Sequence, residues 1–330
     1  MLPWHFLALG TTVSFGLCRK EDSKGNSQPK NNSRVAAYAI MSDKKTLMRK
    51  GKVKEAYDRH DGTLEFVFTD NISVFDKVIP TTIDHKGEVL CRISAFWFKR
   101  CEDLGVKTHF ISTEGNRMHV KKFDIITDYD KLDEGSTGCM IPLEVIARYY
   151  VAGSLYERFK EEGMDYGEEL PEPIVEFTTK FEEYDRKLTE EEAMDIAGLT
   201  REELEHIKQT VLDIDRHMNQ TVRQRGLIHV DGKKEFAFDE QRNLVLVDTF
   251  GTPDEDRFWD AEKYQQGVFE ERSKEFVRAY YRDTGYYDKL KEARRTDQPE
   301  PEIPPLPDDV AREASQLYID IYEQITGESF

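Results

Sequence analysis

The stretch Leu-Ile-His-Val-Asp-Gly-Lys-Lys-Glu-Phe-Ala-Phe (227–238), with Leu-Val-Leu-Val-Asp (244–248) and Pro253-Asp254-Glu255-Asp256-Arg257 after it, decides the fold. It reads as two short strands joined by a hairpin, with charged residues where a sheet normally buries apolar ones. Side chains alternate across a strand, so Asp231, Lys233 and Glu235 share one face, and the second strand closes on the Asp248 carboxylate. Acids and a lysine converging from a hairpin need an outside partner to offset their desolvation. Mg²⁺ carrying nucleotide phosphates is such a partner, because it takes one or two carboxylates together with phosphate oxygens. A solvated hairpin face explains these residues equally well from this stretch alone. Opposed residues of an antiparallel pair point to the same face. A shared site therefore predicts Lys233 opposite Asp248 and Phe238 opposite Asn243, with Asp239 to Arg242 at the hairpin end and two or four residues in the loop. It also predicts the Asp248 carboxylate beside Glu235.

The chain has 330 residues, 38% hydrophobic and 34% charged, with a formal net charge of −18, which suits a globular protein with a sizeable core. Such acidity argues against a nucleic-acid partner, which normally needs a basic patch. Anionic small molecules remain compatible, because a local lysine and arginine cluster can dominate a cleft. The four cysteines, Cys18, Cys91, Cys101 and Cys139, lack metal-ligand spacing and suit a reducing, cytoplasmic compartment. The apolar run at 1–17 is too short and interrupted to span a bilayer and has no basic residue ahead of it. Residues 1–40 are expected to be a disordered, dispensable leader, with Met41 as the working start and no membrane partner.

Further along, residues 64–69 and 109–112 read as strands, as does 119–127, whereas 88–101 has helical spacing. Residues 141–152 form an apolar, β-branched run containing Arg148. The clearest helix is 200–225, where Thr200 and Glu203 make a capping box. Leu204, Ile207, Val211, Ile214, Met218 and Val222 form one apolar stripe, and Gly226 stops the helix. Thr189 and Glu192 repeat the capping signature. Residues 269–281 are expected to be helical, placing Lys274 and Arg278 on one face, and 308–326 a terminal amphipathic helix. The mixture predicts an α+β fold with mainly antiparallel sheets.

Several constellations bear on chemistry. Gly51, Lys52 and Lys54 lie just before a strand, where a glycine lets backbone N–H groups approach phosphates and lysines neutralise them; a polar turn explains them as well. Ser73 and Asp76 offer a hydroxyl and a carboxylate near a strand end, or a simple turn. Arg148 with Ser154 can hold a phosphate or carboxylate, or pair with a buried acid. Lys180 and Asp185 lie in a loop that reads as a lid or as a solvated charge run. The histidines at 85, 109, 119 and 229 are scattered, with no spacing for nucleophilic hydrolysis.

Taken in order, GKVKEAY (51–57), ISVFD (72–76), HKGEVL (85–90), ISAFWF (93–98), IPLEVIARYYVAGSL (141–155), DGKKEF (231–236) and VDTFGTPDEDRFWD (247–260) resemble the SAICAR synthetase (phosphoribosylaminoimidazole-succinocarboxamide synthase) family. The resemblance runs from about residue 47 to 327. It implies a two-lobed fold with a β-rich ATP-binding lobe over 41–140 and a larger α+β substrate lobe over 141–330. It also implies a C–N ligase of purine biosynthesis that joins L-aspartate to carboxyaminoimidazole ribonucleotide, using ATP and Mg²⁺. Partners would be these small molecules, with self-assembly left open.

Carried over by position, the resemblance sets Gly51, Lys52 and Lys54 against the ATP phosphates, and lines the adenine pocket with Met140 and Glu144, with Lys180 nearby. Lys233, Glu235 and Asp248 would be the catalytic centre, with Glu235 and Asp248 holding the metal. Ser73, Asp76, Arg148, Ser154, Asp185, Asp254, Arg257, Lys274 and Arg278 would bind substrate. Two departures stand out: Thr249 replaces a second acid found in many members, and Gly251 is inserted before Thr252. A kinase that stops at phosphorylation would not need the basic set from Arg148 to Arg278. A sensor without turnover would be expected to lose Glu235 and Asp248.

Overall fold

The alternating run becomes one strand, β11 (Leu227–Phe238), in the middle of the larger sheet. That sheet runs β10 (Lys187–Leu188), β9 (Glu169–Thr179), β8 (Met140–Tyr150), β11, β12 (Leu244–Val247), and β13 (Asp256–Asp260) pairs with the first half of β11. A second sheet runs β1 (Thr46–Lys50), β2 (Lys54–Asp58), β3 (Thr63–Phe68), β7 (Arg117–Lys121), β6 (Phe110–Glu114), and β4 (Asn71–Val74) with β5 (Lys77–Thr82) makes a separate hairpin. All these named strand pairs are antiparallel. The computed structural model describes residues 45–330, residue 273 excepted, so the leader expected at 1–40 and the start at Met41 lie outside the described residues. Together the sheets and helices give the expected α+β fold.

The helices are α1 (Lys86–Asp103), α2 (Gly153–Phe159), α3 (Glu190–Ala197), α4 (Arg201–Arg223), α5 (Ala261–Gln265), α6 (Glu275–Asp283), α7 (Tyr286–Arg295) and α8 (Asp308–Thr326). Both expected capping boxes form: the Thr189 and Thr200 hydroxyls accept from the N–H groups of Glu192 and Glu203, whose carboxylates accept from the cap N–H groups. The α4 stripe is buried against β8 and β11, each aliphatic side chain contributing roughly 1.5–3 kcal/mol. The helix expected at 269–281 starts only at Glu275. Residues 270–272 are instead bound to β13, with Asp260 N–H donating to the Glu270 carbonyl and Arg272 N–H to the Phe258 carbonyl. The strand expected at 119–127 ends at Lys121.

The hairpin register differs from expectation by one residue. Phe238 opposes Leu244 and Glu235 opposes Val247, so Lys233 does not oppose Asp248 and Phe238 does not oppose Asn243. The cause is the turn. Asp239 N–H donates to the Asn243 carbonyl and Arg242 N–H to the Asp239 carbonyl, while Arg242 adopts φ +59°. This is a three-residue loop closed by a left-handed residue, neither of the even-numbered loops expected. The Asp239 carboxylate locks it by accepting from the N–H groups of Gln241 and Asn243.

Candidate active site

Asp248 nevertheless reaches Glu235, because it has left the strand. Its φ of +59° turns the side chain out of the β12 alternation, and His109 Nε2 donates to its carbonyl at 3.1 Å. Burial lowers the His109 ring to about 4, so it stays neutral. Lys54 of β2 contacts the Asp248 carboxylate directly and approaches the Thr249 hydroxyl at 3.4 Å. Lys180, just past β9, contacts Glu235 and lies 3.4 Å from Asp248, so one ammonium joins the two acids. Lys233 lies 2.7 Å from Glu144, 3.3 Å from Glu255 and 3.4 Å from Glu235. The Glu144 carboxylate joins this lysine–acid centre. Met140 packs with Phe123, Ala237, Val245 and Val247.

Burial drives the electrostatics here. It pushes the Glu235 carboxyl up to about 7 against Lys180 and Lys233, and Asp248 and Glu144 add to the push. Burial also raises Asp248, but Lys54 and Lys180 outweigh it and hold that group well below the carboxylate range. For Lys233 and Lys180 burial acts downward and the surrounding acids more than reverse it, so both stay charged. Four carboxylates (Glu144, Glu235, Asp248, Glu255) thus face three ammonium groups (Lys54, Lys180, Lys233). A set of hard oxygen donors with excess negative charge fits Mg²⁺.

A second cluster centres on Asp231, which accepts from Arg148 Nη1 at 3.2 Å and Arg257 Nη1 at 2.6 Å. Arg148 also donates to Glu176 at 2.7 Å and to the Ser154 hydroxyl at 3.0 Å. Burial raises Glu176, yet Lys187, Arg158 and Arg148 bring it to about 2. Gly153 has φ +52°, and a Cβ there would lie 2.8 Å from Arg257 Nη2, so the glycine lets that guanidinium in. A third cluster centres on Asp254, which accepts from the fully buried Lys86 at 2.7 Å and from Tyr318 of α8 at 2.7 Å. Lys274 donates to the Asp254 carbonyl at 3.2 Å, and burial with nearby Arg278 and Lys86 holds its ammonium below the lysine range despite Asp254. Arg278 pairs with Glu275 at 3.3 Å.

Other expected residues lie elsewhere. Lys52 meets Asp76 at 3.1 Å in an exposed pair, Ser73 is half-buried in β4, and Asp185 is exposed. Gly51 N–H donates to the Lys54 carbonyl at 2.8 Å, a turn that sets Lys54. The two departures are accommodated: the Thr249 hydroxyl faces Lys54, and inserted Gly251, at φ +69°, accepts from Trp97 Nε1 at 3.0 Å. Sequence reasoning left Asp231, Glu176, Lys86, Glu255 and Tyr318 out of the site. Asp231 carried a signal by sharing a face with Lys233 and Glu235, and Glu255 and Lys86 lie inside the stretches 253–257 and 85–90.

Fold and site define an α+β protein with a buried acid centre, held among three lysines, that suits a divalent cation. The profile of the SAICAR synthetase family matches residues 47–293. The chain is 53% identical over 296 residues to the phosphoribosylaminoimidazole-succinocarboxamide synthase of Thermoplasma acidophilum, covering 86% of this chain and 99% of that one. It is 32% identical over 294 residues to the enzyme of that name from Nitrosopumilus maritimus, covering 86% and 99%. Among solved structures, SAICAR-synthase from Saccharomyces cerevisiae complexed with SAICAR gives a TM-score of 0.70 at 25% identity, over 87% of this chain and 96% of that one. A SAICAR synthetase (Type-2) in complex with ADP gives 0.62 at 30% identity, over 86% and 98%. This chain belongs to the SAICAR synthetase family.

Proposed function

We propose that this cleft joins L-aspartate to the carboxylate of carboxyaminoimidazole ribonucleotide, consuming ATP and yielding SAICAR, ADP and phosphate in de novo purine biosynthesis. The observation that carries the reading is the bridging of Glu235 and Asp248 by one lysine, Lys180, with Lys54 and Lys233 on either side. A carboxylate is a poor electrophile toward an amine, because oxide would have to leave. Transfer of the γ-phosphoryl group to it gives an acyl phosphate. The aspartate amine then attacks the carbonyl carbon, the C–N bond forms, the C–O bond to phosphate breaks, and the amine loses a proton. Positioning and charge neutralisation are the main requirements of the transfer step.

In this reading Lys54, Lys180 and Lys233 offset charge on the nucleotide phosphates, and the turn at Gly51 with Lys52 lies at their edge. Glu235 and Asp248 would hold Mg²⁺, which would offset negative charge on the moving phosphoryl when bound. Arg148 and Arg257, fixed by Asp231, with Ser154 on Arg148, and Lys274 and Asp254, the latter fixed by Lys86, hold the ribonucleotide and aspartate. Residues 41–140 would be the nucleotide lobe and 141–330 the substrate lobe. Among the described residues no helix is long and apolar enough to cross a membrane. A cytoplasmic location and small-molecule partners complete the reading. Purified protein with both substrates, ATP and Mg²⁺ should form the succinocarboxamide and ADP in equal amounts, and Asp248→Asn should depress turnover with the fold intact. ADP without amide would point to a kinase.

A further inference from the structure

The adjacent lysines of β11 point to opposite faces of the sheet. Lys233 joins the cleft acids, whereas Lys234 enters the layer between the sheet and α4 and is fully buried. A buried ammonium persists only against buried negative charge, since desolvation disfavours it. Two carboxylates meet it there. Asp215 of α4 is in direct contact, and Asp256 Oδ2 lies 3.2 Å away. His229 Nε2 donates to the same Asp256 oxygen at 2.7 Å. Ligand atoms of Asp215, His229 and Asp256 lie within 4.8 Å of one another, a spacing that suits a metal ion. Lys234 already supplies the cation at both carboxylates.

Asp256 connects this cluster to the cleft. Its Oδ1 accepts from Gly251 N–H at 2.7 Å, and its own N–H donates to the Thr252 carbonyl at 2.8 Å. Gly232 lies beneath the carboxylate, where any Cβ would overlap Oδ2. The loop anchored in this way, residues 248–257, carries Asp248 on Lys54, Asp254 on Lys86, Glu255 on Lys233 and Arg257 on Asp231.

We propose that Lys234 is a positioning residue: from the far face of β11 its ammonium holds the Asp256 carboxylate, and through it the loop that presents Asp248, Asp254 and Arg257 to the substrates. The proposal rests on the cleft reading above for its kinetic consequence, and on the loop alone for its structural one.

The test compares wild type, Lys234→Met, Asp256→Asn and the double variant by hydrogen–deuterium exchange and steady-state kinetics. Lys234→Met should speed exchange about tenfold in peptides covering 248–257, leaving peptides of the β1–β3 sheet unchanged. It should also raise the KM for the imidazole ribonucleotide about tenfold, whereas mere loss of folded protein lowers kcat at constant KM. Because Lys234 acts through Asp256, the double variant should match Asp256→Asn within about twofold in both readouts. Uniformly faster exchange, an unmoved loop, an unchanged KM or multiplying effects would each overturn the proposal. If Lys234→Met alone does not fold, the double variant, which loses one charge of each sign, decides by the same comparison with Asp256→Asn. Absence of ligation by wild type would overturn the cleft reading, and exchange alone would then decide the role of Lys234.

Discussion

Glu235 sets how binding of a divalent ion should depend on pH. Burial brings its carboxyl up to about 7, whereas Asp248 is kept ionised by Lys54 and Lys180 throughout the neutral range. A metal ion takes the ionised carboxylate, so below about pH 7 its binding must expel the Glu235 proton. The ionised fraction is about 0.1 at pH 6 and about 0.9 at pH 8, so the apparent Kd should tighten about tenfold between them. Mn²⁺ is a suitable probe, with free ion counted by electron paramagnetic resonance in nucleotide-free protein so that no phosphate titrates. Glu235→Gln should weaken binding and flatten the pH dependence, leaving Asp248 as the ionised ligand. An equal Kd at both pH values, or a slope that survives in Glu235→Gln, would refute the assignment of the ion to Glu235.

Gly232→Ala would set its Cβ against Asp256 Oδ2 and 2.8 Å from His229 Nε2. Overpacking of this kind should cost about 1–3 kcal/mol in urea denaturation, and an unshifted midpoint would contradict the packing described. Burial pushes the Asp254 carboxyl up, but Lys86 and Lys274 outweigh it and bring the group down from its ordinary 3.8 to about 2 in the folded protein. Its folded pKa is depressed, so its stabilising contribution is complete above about pH 4 and fades as pH falls through about 2. Asp254→Asn should therefore lose about 2 kcal/mol at neutral pH and show a shallower acid decline, measured by denaturation at pH 7 and pH 3. Parallel declines in the two proteins would refute it.

What the sequence disclosed was mostly local. The Thr200 capping box and the apolar stripe of α4 depend on neighbours three or four residues apart, and both are in place. The face shared by Asp231, Lys233 and Glu235 follows from strand alternation alone. The register failed because parity arguments assume that both partners are in the ladder, whereas Asp248 adopts a left-handed conformation after the last β12 residue. Nothing in the order of residues 239–243 announces that Arg242 would take positive φ in place of a glycine or asparagine. The helix expected from residue 269 failed for a tertiary reason, since 270–272 are captured by β13. Lys86 and Tyr318 went unread because their meaning lies in Asp254, far along the chain.

The site is drawn from nearly the whole length of the polypeptide, and this orders events during synthesis. Lys54 and Asp248 are separated by 194 residues, and Tyr318 follows Asp254 by 64 more. At about 5–20 residues per second, roughly 10–40 s pass between the appearance of Lys54 and that of its acid. A nascent chain can thus pair β1 to β3 well before it owns Glu235 or Asp248. A chain that ends after residue 257 but before residue 318 lacks the phenol that closes on Asp254, so it carries Lys54, Lys180 and Lys233 with the Asp254 cluster unfinished.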